Sequence, residues 1–138
     1  MVKKSKSQKL YLWDTGALFL YFADHIEAKT LMKKIESSQA KGYIPQLVLV
    51  EFFYKTMEKL GKQTAEYQLT ILKESKNNIV GIKDNQISDI GLIKLNNRSL
   101  SLVDCVIGVL CKHYKTIIIT TDGDFDNLKE IKSINLKY

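Results

Sequence analysis

Four acidic residues stand in surroundings that ordinarily exclude charge. Asp14 directly follows Leu10-Tyr11-Leu12-Trp13, and Asp122 follows Ile117-Ile118-Ile119-Thr120-Thr121. Glu51 has Leu47, Val48 and Tyr54 as helical neighbours, and Asp104 lies within Leu100-Ser101-Leu102-Val103-Asp104-Cys105-Val106-Ile107. Asp124 adds a fifth acid just beyond Asp122. Ionised carboxylates are rarely buried without a partner. Several converging on one point repel one another unless a cation neutralises them or some stay protonated. All-oxygen donors suit Mg2+ or Mn2+ rather than zinc. A divalent ion held by carboxylates can polarise a phosphate and activate water for phosphodiester hydrolysis.

Each acid also has a purely structural reading. Asp14 and Asp122 are placed to cap whatever helix follows them. Glu51 faces water if its segment is partly exposed. Asp104 is the third residue of a helix that Ser101 would cap, where the helix dipole favours a carboxylate. Asp122, Asp124 and Asp126 read equally as an acidic turn, and the terminal Glu of a calcium loop is missing. Thr15, beside Asp14, and Thr120 and Thr121, before Asp122, are placed to orient those carboxylates. His25 and His113 read as surface or cap residues rather than bases.

Positioning these acids requires an alternation of strands and helices. Residues 10–13 read as a buried strand, with a helix from Ala17 to about Ala23 and another over 28–39 that Gly42 ends. Pro45 holds Ile44 extended and suits a first helical turn. A helix over 46–60 stops at Gly61, and another spans about 64–73. A short strand over 78–82, helices over 86–95 and 102–114, a strand over 116–120 and a last one over 133–136 complete the chain. This order predicts an α/β domain, three layers deep, with a mostly parallel central sheet. In such a sheet ligands gather beyond the carboxyl ends of the strands, so two strands each ending in Asp share one rim.

Composition narrows the classes. The chain has 138 residues, 45% of them apolar, enough for the core of one domain. No apolar run approaches the ~20 residues needed to span a bilayer, and the apolar stretch after the N-terminal lysines breaks at Asp14, so neither signal peptide nor anchor is expected. Two cysteines, Cys105 and Cys111, lie in an apolar segment and read as reduced core thiols of a cytoplasmic protein. Lys and Arg number 21 against 15 Asp and Glu, a net +6, but Lys3, Lys4, Lys6 and Lys9 supply four of those charges. Residues 1–9 are therefore expected to form a basic flexible leader and residues 10–138 the folded domain. With the five acids above set aside, ten acids face 17 basic residues after residue 9. An acidic centre in a basic surround is the electrostatic arrangement for cutting nucleic acid. Arg98, the single arginine, reads as a phosphate contact or a surface ion pair.

In order and spacing, Leu12-Trp13-Asp14-Thr15, Leu49-Val50-Glu51, Ser101-Leu102-Val103-Asp104 and Thr120-Thr121-Asp122-Gly123-Asp124-Phe125 resemble the motifs of PIN-domain ribonucleases, especially the VapC-type toxins of toxin–antitoxin pairs. The resemblance implies a PIN-like fold, an Mg2+- or Mn2+-dependent endoribonuclease acting on an RNA substrate, a cognate antitoxin, and a homodimer. By carry-over Asp14, Glu51, Asp104 and Asp122 form the catalytic quartet. Asp14 and Asp104 stand foremost among the metal ligands, joined by Asp122 and Asp124. The Lys-rich leader and the near-absence of arginine depart from the family pattern. The alternative is a catalytically silent PIN-like module that binds RNA or protein. A phosphoacceptor receiver domain would need an acidic pair after its first strand, and Asp14 stands there alone.

Overall fold

The computed structural model describes residues 8–128 and 130–138. The fold is built on β1 (Lys9–Trp13), whose last three residues are buried. A strand apolar on both faces belongs in the middle of a parallel sheet covered by helices, and β1 occupies that place. The sheet runs β3 (Asn78–Val80), β2 (Ala40–Pro45), β1, β4 (Ile117–Thr120), β5 (Lys132–Asn135), with every neighbouring pair parallel. Among the described residues six α-helices join the strands: α1 (Thr15–Phe22), α2 (Ile26–Glu36), α3 (Gln46–Leu60), α4 (Lys62–Glu74), α5 (Ile87–Asn96) and α6 (Leu102–Tyr114). Crossovers between parallel strands are right-handed. The run β1-β2-β3 advances one way and the next strand, β4, returns to the far side of β1. Helices therefore cover both faces, giving three layers, and the strand order reverses between β1 and β4.

Local chemistry explains the element ends. Ser101 caps α6 by accepting from the Asp104 N–H at 3.0 Å, and seven consecutive residues, Cys105 to Cys111, are buried. Gly61, at φ 88°, stops α3 where a side chain would be strained. β1 opens at Lys9, within the expected leader, and Gln8 donates from Nε2 to the Ser38 carbonyl at 2.6 Å. The rest of that leader, residues 1–7, lies outside the described residues.

Two expectations at the second strand are corrected. Gly42 does not end a helix. α2 closes at Glu36 and Gly42 sits inside β2. Its missing side chain leaves room for the Asn77 amide and the Ile35 Cδ1, which lies 2.7 Å from where a Cβ would stand. Asn77 uses that room to accept from the buried Trp13 Nε1 at 3.0 Å. Pro45 is not in a helical turn either; it ends β2 and stands as the N-cap of α3. Among the described residues no helix is long and apolar enough to cross a membrane.

Candidate metal centre

Asp14 is set by strand register. Trp13 pairs with Ile119 across β1 and β4, so the next residue on each strand, Asp14 and Thr120, meet at the carboxyl rim. The Asp14 N–H donates to the Ile119 carbonyl at 3.0 Å. Its Oδ1 accepts from the Ala17 N–H at 2.9 Å, capping α1. Its Oδ2 accepts from the Thr120 hydroxyl. Capping and site geometry thus coincide in one side chain. Asp14 is only 6% exposed. Burial pushes its carboxyl up from 3.8 to about 6 against the Thr120 and Ala17 hydrogen bonds, with the charges of Asp104 and Asp122 adding to the rise.

Asp104 enters from the first turn of α6 and is half-buried. Its carboxyl is also raised, first by burial, opposed by a Ser101 hydrogen bond, and then by the charges of Asp122, Glu51 and Asp124. Asp122 leaves the end of β4. Its N–H donates to the Thr120 hydroxyl oxygen at 2.9 Å, so a single threonine ties the backbone at Asp122 to the carboxylate of Asp14. Asp124 is the second residue of a short 3-10 turn (Gly123–Asn127) capped by Asp122, with its N–H donating to Asp122 Oδ1 at 2.9 Å. The nearby Asp122 charge raises the Asp124 carboxyl.

The fold brings Asp104, Asp122 and Asp124 together from two separate stretches of chain, with one ligand oxygen from each within 4.8 Å of the others. Asp14 lies close enough to Asp104 and Asp122 for both charges to act on it. Glu51 stands outside the trio, on α3. Its Oε2 is 3.7 Å from the Lys55 Nζ, yet its charge still reaches Asp104. The donors are all carboxylate oxygens, and among the described residues no Lys, Arg or His forms an ion pair with Asp14, Asp104, Asp122 or Asp124. Such a set fits a hard divalent cation.

Of the threonines, Thr120 meets Asp14, whereas the buried Thr15 hydroxyl has no hydrogen-bond partner among the described residues. Thr121 places its Oγ1 where a Cβ on residue 16 would be, so Gly16 lets the β4 end pack against α1. Reading the sequence overlooked Lys55, although its spacing of four from Glu51 on a helix was visible.

The PIN domain family model matches residues 11–131. Solved structures similar to the chain include VapBC2 from Rickettsia felis bound to a promoter DNA fragment, at 14% identity and TM-score 0.77, covering 93% of this chain and 99% of that one. A toxin–antitoxin complex from Klebsiella pneumoniae matches at 18% identity and TM-score 0.67, covering 91% and 99%. VapC20 from Mycobacterium tuberculosis, described as a toxin cleaving the sarcin-ricin loop, matches at 17% identity and TM-score 0.65, covering 86% and 95%. No curated protein matches the sequence. At these identities the structural likeness is one of fold, and the family match spans most of the same residues: the chain belongs to the PIN domain family.

Proposed function

We propose that the chain is a divalent-metal-dependent endoribonuclease and the toxin of a toxin–antitoxin pair. The observation that carries this reading is the convergence of Asp104, Asp122 and Asp124 beside a buried Asp14, without a protein cation to offset them among the described residues. Asp14, Asp104, Asp122 and Asp124 would hold Mg2+ or Mn2+. When bound, that ion supplies polarisation of the scissile phosphodiester and a more acidic water. Thr120 and the α1 N-terminus fix the Asp14 oxygens, and Ser101 fixes the start of α6 that carries Asp104. Glu51, outside the trio and 20% exposed at its side chain, is the carboxylate left to orient the attacking water and accept its proton.

An RNA substrate accords with the excess of basic residues over the remaining acids and with the activity described for the Mycobacterium tuberculosis neighbour. A protein partner accords with the complexes from Rickettsia felis and Klebsiella pneumoniae and with an apolar groove of about 770 Å3 between α3, α4 and the β3 edge. Val50 and Tyr54 beside it are 58% and 51% exposed, and surface of this kind marks a protein interface. We assign it to an antitoxin or to the second copy of a homodimer. Two free, buried cysteines suit the reducing cytoplasm.

Purified protein should cut single-stranded RNA only with Mg2+ or Mn2+, and Asp14→Asn should lower the rate by about a hundredfold or more. Unchanged metal-stimulated cleavage in Asp14→Asn would overturn the assignment. Protein that binds RNA and cuts nothing with either ion would establish the binding-module alternative.

A further inference from the structure

Among the described residues, Lys55 is the one cation paired with any of the five acids singled out above. Its Nζ stands 3.7 Å from Glu51 Oε2, one helical turn along α3, and its side chain is 42% exposed. The other ion pairs among the described residues, Lys29 with Asp24 and Lys62 with Glu66, involve none of the five acids. The Glu51 charge is among those that raise the Asp104 carboxyl, after burial and the charge of Asp122. The pair has the i,i+4 spacing of a helix ion pair, and a loose, partly exposed contact of this kind adds little to helix stability. Such a contact exchanges partners cheaply. Lys59, the next lysine along α3, is held elsewhere, with its Nζ over the Phe19 ring of α1 at 5.7 Å. Glu58, exposed on the following turn, forms no ion pair with Lys55 among the described residues.

A phosphodiester entering this rim meets the carboxylates of Asp14, Asp104, Asp122 and Asp124, and repulsion opposes its approach. An ammonium on a flexible stem, beside Glu51 and partly in solvent, is suited to a phosphate oxygen. We propose that Lys55 is a substrate-binding residue that changes partner. It offsets Glu51 in the free site and would take an RNA phosphate next to the scissile one, leaving Glu51 free to orient the attacking water. The proposal rests on the ribonuclease reading above.

The test compares the full-length protein with Lys55→Gln and Lys55→Arg. Steady-state cleavage of a single-stranded RNA oligonucleotide in Mn2+ gives KM and kcat separately. Binding of the same RNA to Asp14→Asn protein, with and without Lys55→Gln, is followed by fluorescence anisotropy across a salt series in Mg2+. Lys55→Gln should raise KM about tenfold with kcat changed by no more than about twofold. It should also reduce the salt slope of binding by about 0.7, one phosphate contact on a single strand. Lys55→Arg should restore both, and the Mn2+-induced rise in Tm without RNA should match wild type in both variants. An unchanged KM and salt slope would overturn the proposal, leaving an ordinary helix pair. A loss of kcat with an altered Mn2+ response and unchanged KM would also overturn it, making Lys55 a regulator of Glu51 alone. If the wild type neither binds nor cuts RNA, the ribonuclease reading fails and Lys55 loses its role with it.

Discussion

Asp14 uses its two oxygens differently. Oδ1 caps α1 through Ala17, and Oδ2 takes the Thr120 hydroxyl. Both bonds favour the ionised form, yet burial prevails and the carboxyl rises to about 6. The sign of the consequence is definite. A carboxyl raised in the folded state lends stability below its unfolded value, near 4, and that stability is lost as pH rises through the folded value. Without metal, Asp14 should therefore weaken the protein between about pH 4 and pH 6, by at most about 3 kcal/mol. Chelator-treated wild type and Asp14→Asn, unfolded in urea at a series of pH values, provide the measurement. The variant should gain on wild type across that window, and a difference independent of pH would refute the role of Asp14 ionisation. Asp14 was legible from its place after an apolar strand. That Thr120 rather than Thr15 would bind it was not, because the contact depends on the register between strands more than a hundred residues apart.

At the scale of elements, α6 shows how a helix start becomes part of a site. Ser101 accepts from the Asp104 N–H, and the apolar helix behind is buried through Cys111. Ser101→Ala should cost about 1 kcal/mol in urea unfolding. It should also weaken the Mn2+-induced rise in Tm, since the cap orients the turn carrying Asp104; a stability loss with an intact Mn2+ response would separate the cap from the site. The boundaries of α3 and α6 agree with the sequence reading because strong local signals mark them: Gly61 at one end, Ser101 and an unbroken apolar run at the other. Gly42 misled for the opposite reason. Its local signature is that of a breaker, but its place in β2 is decided by Asn77 and Ile35, which need the space a side chain would take.

For the molecule as a whole, the centre lies where the strand order reverses between β1 and β4, the crevice that open parallel sheets offer to ligands. Binding that occurs only in the folded state adds to stability, about 2.7 kcal/mol at a hundredfold excess over Kd. Chelation should therefore lower the Tm of wild type by several degrees and that of Asp104→Asn much less; equal shifts would argue against Asp104 as a ligand. The apolar face at Val50 and Tyr54 leads to a second expectation. Val50→Lys should shift a dimer toward monomer in light scattering without changing the Mn2+ response, and a wild type that is monomeric at all concentrations would leave that face to a different protein.

Types and spacing along the chain determined the class of fold, the helices with strong stop signals, and the acids worth watching. Those features are local, set by apolar periodicity and by carboxylates in segments that bury themselves. The net +6 was a poor guide, because four lysines among the first nine residues carry most of it. Only the tertiary structure decided which acids share a point in space. The register of β1 on β4 and the packing of α6 brought Asp104 to Asp122 and Asp124, while Glu51 stayed apart beside Lys55. Distances between residues far apart in sequence follow from strand order and crossover handedness, which no single segment encodes.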